Sequence, residues 1–174
     1  CFFLRDVADA DLHEGRMIER PAHGTGMAVP LLEITVAQVG VRVELDVQVD
    51  SRWDKKIERF GIPLEELYSL GKIKNLTLLH YHTGSEIERE SDILRALKKG
   101  MEIYLHLKKE NPSLDTIDIG GGFAGNYHGK KLYSPNGLVN DVISFLGKFC
   151  TDNGIQPPNI ICEWGSHIVA PAQI

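Results

Sequence analysis

Asp115-Thr116-Ile117-Asp118-Ile119 runs directly into Gly120-Gly121-Gly122-Phe123-Ala124-Gly125. The first stretch reads as a buried strand, and the glycines cannot continue it. Successive residues without Cβ let the backbone approach a ligand closely and turn its N–H groups outward. Such amides make an anion cradle, and phosphate is the usual guest. A glycine-rich stretch is also a plain strand-to-helix turn, so its company decides. One strand earlier stands His80-Tyr81-His82-Thr83-Gly84-Ser85, and one strand later Glu163-Trp164-Gly165.

Working outward, Leu76–His80 reads as a strand. Residues 86–109 read as an amphipathic helix, with Ile93, Leu97, Met101, Tyr104 and Leu105 at helical spacing. Ser85 and Glu88 fit a capping box at its start, and Pro112 stops it. Gly137–Asn153 reads as a second helix that turns Val139, Val142, Ile143, Leu146 and Phe149 to the core, with Gly154 closing it. Asn159–Glu163 is the next strand. Upstream, Val39–Val49 reads as a strand, 52–59 as an exposed loop, and Pro63–Leu70 as a short helix with Gly71 past its end. Strands alternating with long helices predict parallel βα units. The strands are apolar throughout, as when both faces are covered. In such folds ligands gather at the carboxyl ends of strands, where all three polar motifs fall.

The chain has 174 residues, 43% hydrophobic and 25% charged, and a formal charge of -5. That is the composition of an ordinary soluble domain, and its acidity argues against nucleic acid or an anionic membrane as partner. No apolar run approaches the ~20 residues of a membrane span. The acidic opening segment is not a signal peptide. Cys1, Cys150 and Cys162 show no pairing pattern and suit a reducing, cytoplasmic setting. The start at Cys1 and the end inside an apolar run read as a piece of a longer polypeptide. Residues 1–38 are irregular and unassigned.

Gly120–Gly125 also satisfies G-x-G-x-x-G, with Asp141 as a distant acid, but a dinucleotide loop needs a helix to open at the glycines. Here Asn126 to Gly137 is rich in turn-formers. His82, just past a strand end, suits stacking on a planar ring, with the Ser85 hydroxyl and nearby amides on a phosphate. His80, inside the strand, reads as a packed histidine. No metal site is assigned, since His80, His82 and His128 lack a well-placed further ligand. Glu163 closes an apolar strand, where a carboxylate needs a partner; a heteroaromatic nitrogen would serve. A phosphate, a flat ring and a ring nitrogen together describe pyridoxal phosphate.

At these residues the chain resembles the barrel domain of the alanine-racemase-like (fold-type III) pyridoxal-phosphate decarboxylases, with the arginine branch nearest. Leu78-Leu79-His80-Tyr81-His82-Thr83-Gly84-Ser85, Asp118-Ile119-Gly120-Gly121-Gly122-Phe123 and Glu163-Trp164-Gly165 are similar to its motifs, as are Gly40-Val41-Arg42 and Arg59-Phe60-Gly61. The resemblance covers residues 39–174 and implies an α/β fold, part of a (β/α)8 TIM barrel. It implies decarboxylation of a basic amino acid, L-arginine to agmatine first, in polyamine synthesis, by a homodimer or homotetramer. His82 and Glu163 would be the catalytic pair, His82 stacking on the pyridine and Glu163 facing its nitrogen. Ser85, Gly120, Gly121, Gly122 and Gly165 would complete the cofactor site, and Mg2+ is implied as a further ion.

Two departures qualify this. Ser166 stands where the family has a phosphate-binding arginine. No lysine sits in the context of the family's Schiff-base lysine, so the chain by itself is expected to be inactive. Ornithine or diaminopimelate decarboxylases, a racemase or cofactor-carrier protein with the same barrel, and a non-catalytic homologue are the alternatives.

Overall fold

The computed structural model describes residues 38–50, 60–125 and 133–165. The order is β1 (Val39–Arg42), α1 (Leu64–Ser69), β2 (Leu76–His80), α2 (Glu90–Glu110), β3 (Thr116–Asp118), α3 (Pro135–Asn153) and β4 (Asn159–Ile161). All strand pairs are parallel, and the strands lie side by side in chain order, β1-β2-β3-β4. A doubly wound sheet would reverse its order at a switch point; a barrel adds each strand beside the last. The observed order is that of a (β/α)8 barrel in part. The irregular reading of residues 1–37, and the loop at 52–59, lie outside the described residues.

β2 forms where the sequence predicts it. Its Leu76 and Leu79 are buried, as a strand covered on both faces requires. Beyond it the side chains alternate. The Tyr81 ring turns outward and is buried beneath α2, where a Cβ on Gly100 would sit 2.3 Å from it. His80 and His82 share the opposite face of the chain.

α2 buries Ile93, Leu97, Met101 and Tyr104, with Ala96, Gly100, Ile103 and Leu107, whereas Leu105 is half-buried. Its start differs from the capping-box expectation. Glu86 has φ 53, and Ile87 bridges to Phe123, so residues 85–88 stay in the loop. The helix opens at Glu90 behind Arg89, which makes no side-chain cap.

α3 opens two positions earlier than expected because Pro135 takes its first turn and Ser134 Oγ accepts the Gly137 N–H at 3.2 Å. Gly154, with φ 64, closes it. The buried stripe is Leu138, Val142, Leu146 and Cys150; Val139 and Ile143 are exposed, which corrects the expected phase.

The remaining strands are shorter than predicted. β1 ends at Arg42, and Val43 bridges instead to Ile62. The chain beyond docks on α2: buried Asp92 accepts the Asp50 N–H at 3.1 Å, and Arg95 donates to the Gln48 carbonyl at 2.7 Å. β3 loses Asp115 and Ile119, and β4 loses Cys162 and Glu163, which become loop.

Packing at Gly100 gives a test. Gly100→Ala would force the Tyr81 ring aside, so the chain should lose about 1–3 kcal/mol of unfolding free energy despite the better helix former. Denaturant unfolding checks this; unchanged or higher stability would show that Tyr81 yields freely.

Candidate functional site

Arg42, His80, Asp118 and Ile161 lie in one register row at the carboxyl ends of the strands. Main-chain pairing continues past that row into the loops. Tyr81 N–H donates to the Asp118 carbonyl at 3.1 Å, and Ile119 N–H to Ile161 at 3.0 Å. Glu163 N–H donates to Gly120 at 2.8 Å, and Ile87 N–H to Gly122 at 2.9 Å. The glycine run is held on both sides.

This is why the residues are glycines. A Cβ on Gly120 would lie 2.4 Å from the Tyr81 carbonyl oxygen, on Gly121 2.4 Å from that of Glu163, and on Gly122 1.7 Å from that of Gly84. Gly120 and Gly122 also have φ of +66 and +81. Two of the amides point inward rather than outward. Gly120 N–H donates to Asp118 Oδ1 at 2.9 Å, and Gly121 N–H reaches His82 Nδ1 at 3.5 Å. The close approach read from the sequence is real, and the approaching groups are the neighbouring loops.

The site residues gather here. His82 is half-buried, and its Nδ1 lies 3.5 Å from the Gly121 N–H. The Ser85 Cα would be 3.2 Å from a Cβ on Gly122, so Ser85 adjoins the glycine run. Glu163 is exposed and stands two residues past the end of β4, which corrects its expected place as the last residue of an apolar strand. Trp164 stacks on Phe123 at 4.7 Å between ring centroids and ties the Glu163 loop to the glycine loop. Gly165 has open space where a Cβ would sit, so no neighbouring described atom demands glycine there. Ser166, His167 and His128 lie outside the described residues.

His80, Asp118 and Glu163 bring one donor atom each to within 4.8 Å of one another. His80 is buried; that burial, and then the nearby Arg42 charge, pull its pKa down to about 4, against the opposing pull of Glu163. Burial raises the Asp118 carboxyl, opposed by the Gly120 N–H and by His82. Asp118 was not singled out from the sequence. The available signal was that Arg42, His80 and Asp118 each close an apolar strand with a polar side chain.

Lys72 and Lys74 line a shallow depression with Asn75 and Ser113, at the amino ends of β2 and β3 and away from this rim. After the glycines the next described helix opens at Pro135, and Asp141 interacts with Glu90, so the dinucleotide arrangement is not formed. No helix among the described residues is long and apolar enough to cross a membrane.

A rim of parallel βα units carrying a glycine-locked loop, an imidazole and a carboxylate defines a class. The family model for the pyridoxal-dependent decarboxylase, pyridoxal binding domain, matches residues 23–170, and the chain belongs to that family. Within it, the biosynthetic arginine decarboxylase of Citrifermentans bemidjiense is 33% identical over 152 residues, 78% of this chain and 24% of that protein. The crystal structure of the biosynthetic arginine decarboxylase SpeA of Campylobacter jejuni superposes with a TM-score of 0.59 and 26% identity, over 75% of this chain and 23% of that one. The diaminopimelate decarboxylase of M. jannaschii superposes with a TM-score of 0.61 at 21% identity, over 76% and 33%, and shares the fold. The chain thus spans about a quarter of the length of the curated relatives it matches.

The His80 environment predicts a pH dependence. An unfolded histidine titrates near 6.5 and this one near 4. Between those values the unfolded chain holds a proton that the folded chain lacks, so stability falls as pH drops through that window. The slope from this residue is at most ~1.4 kcal/mol per pH unit. The raised Asp118 pKa acts with the opposite sign, above the ordinary carboxylate value of 3.8. Unfolding midpoints at pH 7 and pH 5 should differ less in His80→Phe than in the native sequence; equal pH dependence would contradict the assignment.

Proposed function

We propose that this chain forms the cofactor-holding face of a pyridoxal-phosphate carboxy-lyase for a basic amino acid, with L-arginine the first candidate and agmatine its product. The observation that carries the proposal is the convergence of His82, Ser85, Gly122 and Glu163 on one rim through backbone contacts among three loops. The similarity to arginine decarboxylases favours arginine as the substrate. Ornithine and diaminopimelate are the alternatives, and polyamine synthesis in the cytoplasm by a homodimer or homotetramer belongs to the same proposal.

The donor set fits the group. An imidazole offers a flat face, a hydroxyl and a backbone amide suit a phosphate, and a carboxylate suits a protonated ring nitrogen. Pyridoxal phosphate supplies the electron sink for the pair left when a carboxylate departs as CO2. The chain's residues hold and tune that sink. His82, steadied by the Gly121 N–H, would stack on the ring. Glu163 holds the proton at the ring nitrogen, and its position follows from its N–H on Gly120 and from Trp164 on Phe123. Ser85 and the Gly122 amide would hold the phosphate. Gly120 shapes the turn, since its own N–H is committed to Asp118. Gly165 leaves room at the same loop.

Mg2+ is implied by the family resemblance alone. The nitrogen donor and two carboxylates of His80, Asp118 and Glu163 do not make the oxygen-rich octahedron that Mg2+ prefers, so no part in holding the cofactor is assigned to it.

The test uses the whole protein containing this chain, supplied with pyridoxal phosphate. CO2 release should be fastest from arginine among arginine, ornithine and diaminopimelate. Glu163→Gln should lower turnover about a hundredfold or more while cofactor stays bound. Turnover within about twofold of the native protein would remove Glu163 from the chemistry, and no release from any of the substrates would overturn the proposal.

A further inference from the structure

Tyr133, the residue before the α3 N-cap, joins two loops through one oxygen. Its hydroxyl accepts the Ala124 N–H at 2.9 Å and donates to the Ile87 carbonyl at 3.1 Å. The direct bond from Ala124 N–H to Ile87 is longer, 3.4 Å, so the hydroxyl reinforces a rung of the ladder that is itself weakly closed. The adjoining rung is intact: Ile87 bridges Phe123, and Ile87 N–H donates to Gly122 at 2.9 Å. Ile87, Phe123 and Ala124 are all buried, so neither backbone group has water as a ready substitute.

The hydroxyl is suited to a permanent bond. Burial raises its pKa to about 12, with the Ala124 N–H opposing and Glu86 and Glu90 adding to the rise. It therefore keeps its proton, and its donor, throughout the physiological range.

The position matters because Ser85 lies two residues before Ile87, and Gly122 two before Ala124. The bridging oxygen joins the two segments that carry the groups assigned to the phosphate, one on each loop. We propose that Tyr133 is a positioning residue for the phosphate end of the cofactor: its hydroxyl sets the gap between the Ser85–Ile87 and Gly122–Ala124 segments. This rests on the reading of the site as a pyridoxal-phosphate cradle.

Tyr133→Phe keeps the ring and removes the oxygen. The readout is equilibrium dialysis of the whole protein with pyridoxal phosphate and, in parallel, with pyridoxal, which lacks the phosphate. The variant should bind pyridoxal phosphate about tenfold more weakly, the scale of one lost buried hydrogen bond, and pyridoxal within about twofold of the native protein. Unchanged affinity for pyridoxal phosphate would overturn the inference. Equal losses for both ligands would also overturn it, since they would mean general loosening. A native protein that binds neither would instead overturn the cofactor reading itself. Should the variant not fold, hydrogen exchange at the Ala124 amide of the native protein decides. Pyridoxal phosphate should slow it and pyridoxal should not; equal rates with both would overturn the inference.

Discussion

The site depends on three backbone contacts that leave no room for a side chain. The missing Cβ positions of Gly120, Gly121 and Gly122 are filled by the carbonyl oxygens of Tyr81, Glu163 and Gly84. Strand pairing alone would end at the His80–Asp118–Ile161 row. The glycines let the loops go on pairing beyond it, so His82 and Glu163 are placed by main-chain hydrogen bonds rather than by flexible side chains. Binding groups held by a rigid backbone lose little entropy on meeting a ligand, which is the physical value of such an arrangement.

Polarity is layered along the same axis. Below the rim β2 is apolar on both faces, and Tyr81 is drawn away under α2 because Gly100 makes space. At the rim, Arg42, His80 and Asp118 form a polar row, and Glu163 and His82 stand beyond it. Burial and the Arg42 charge keep His80 neutral, so it adds no second cation beside Arg42. Glu163 is the carboxylate left to meet a protonated ring nitrogen. Tyr133 then joins the two outer loops through its hydroxyl.

Much of this was legible in the chain. Leu76–His80 declared itself as a strand, the Ile93–Leu97–Met101 stripe as a helix, and the alternation of strands and helices as parallel βα units. The motifs at strand ends marked the rim. What escaped was set by distant partners. The start of α2 depends on Glu86 and on the Ile87 bridge to Phe123, which local capping signals do not encode. The α3 stripe has two near-equivalent apolar phases, and packing chose Leu138 and Cys150 over Val139 and Ile143. The glycines announced a close approach but not what approached. Asp118 and Tyr133 act through groups that only the fold brings near.

The most direct measurement is backbone hydrogen exchange at Ile87, Ile119 and Glu163, whose amides all pair across the glycine-locked loops. The account predicts that they are protected as one cooperative unit before any ligand is added, and that pyridoxal phosphate protects them further together. Independent, fast exchange at these amides, or no response to the cofactor, would contradict the claim that the glycine run builds the site.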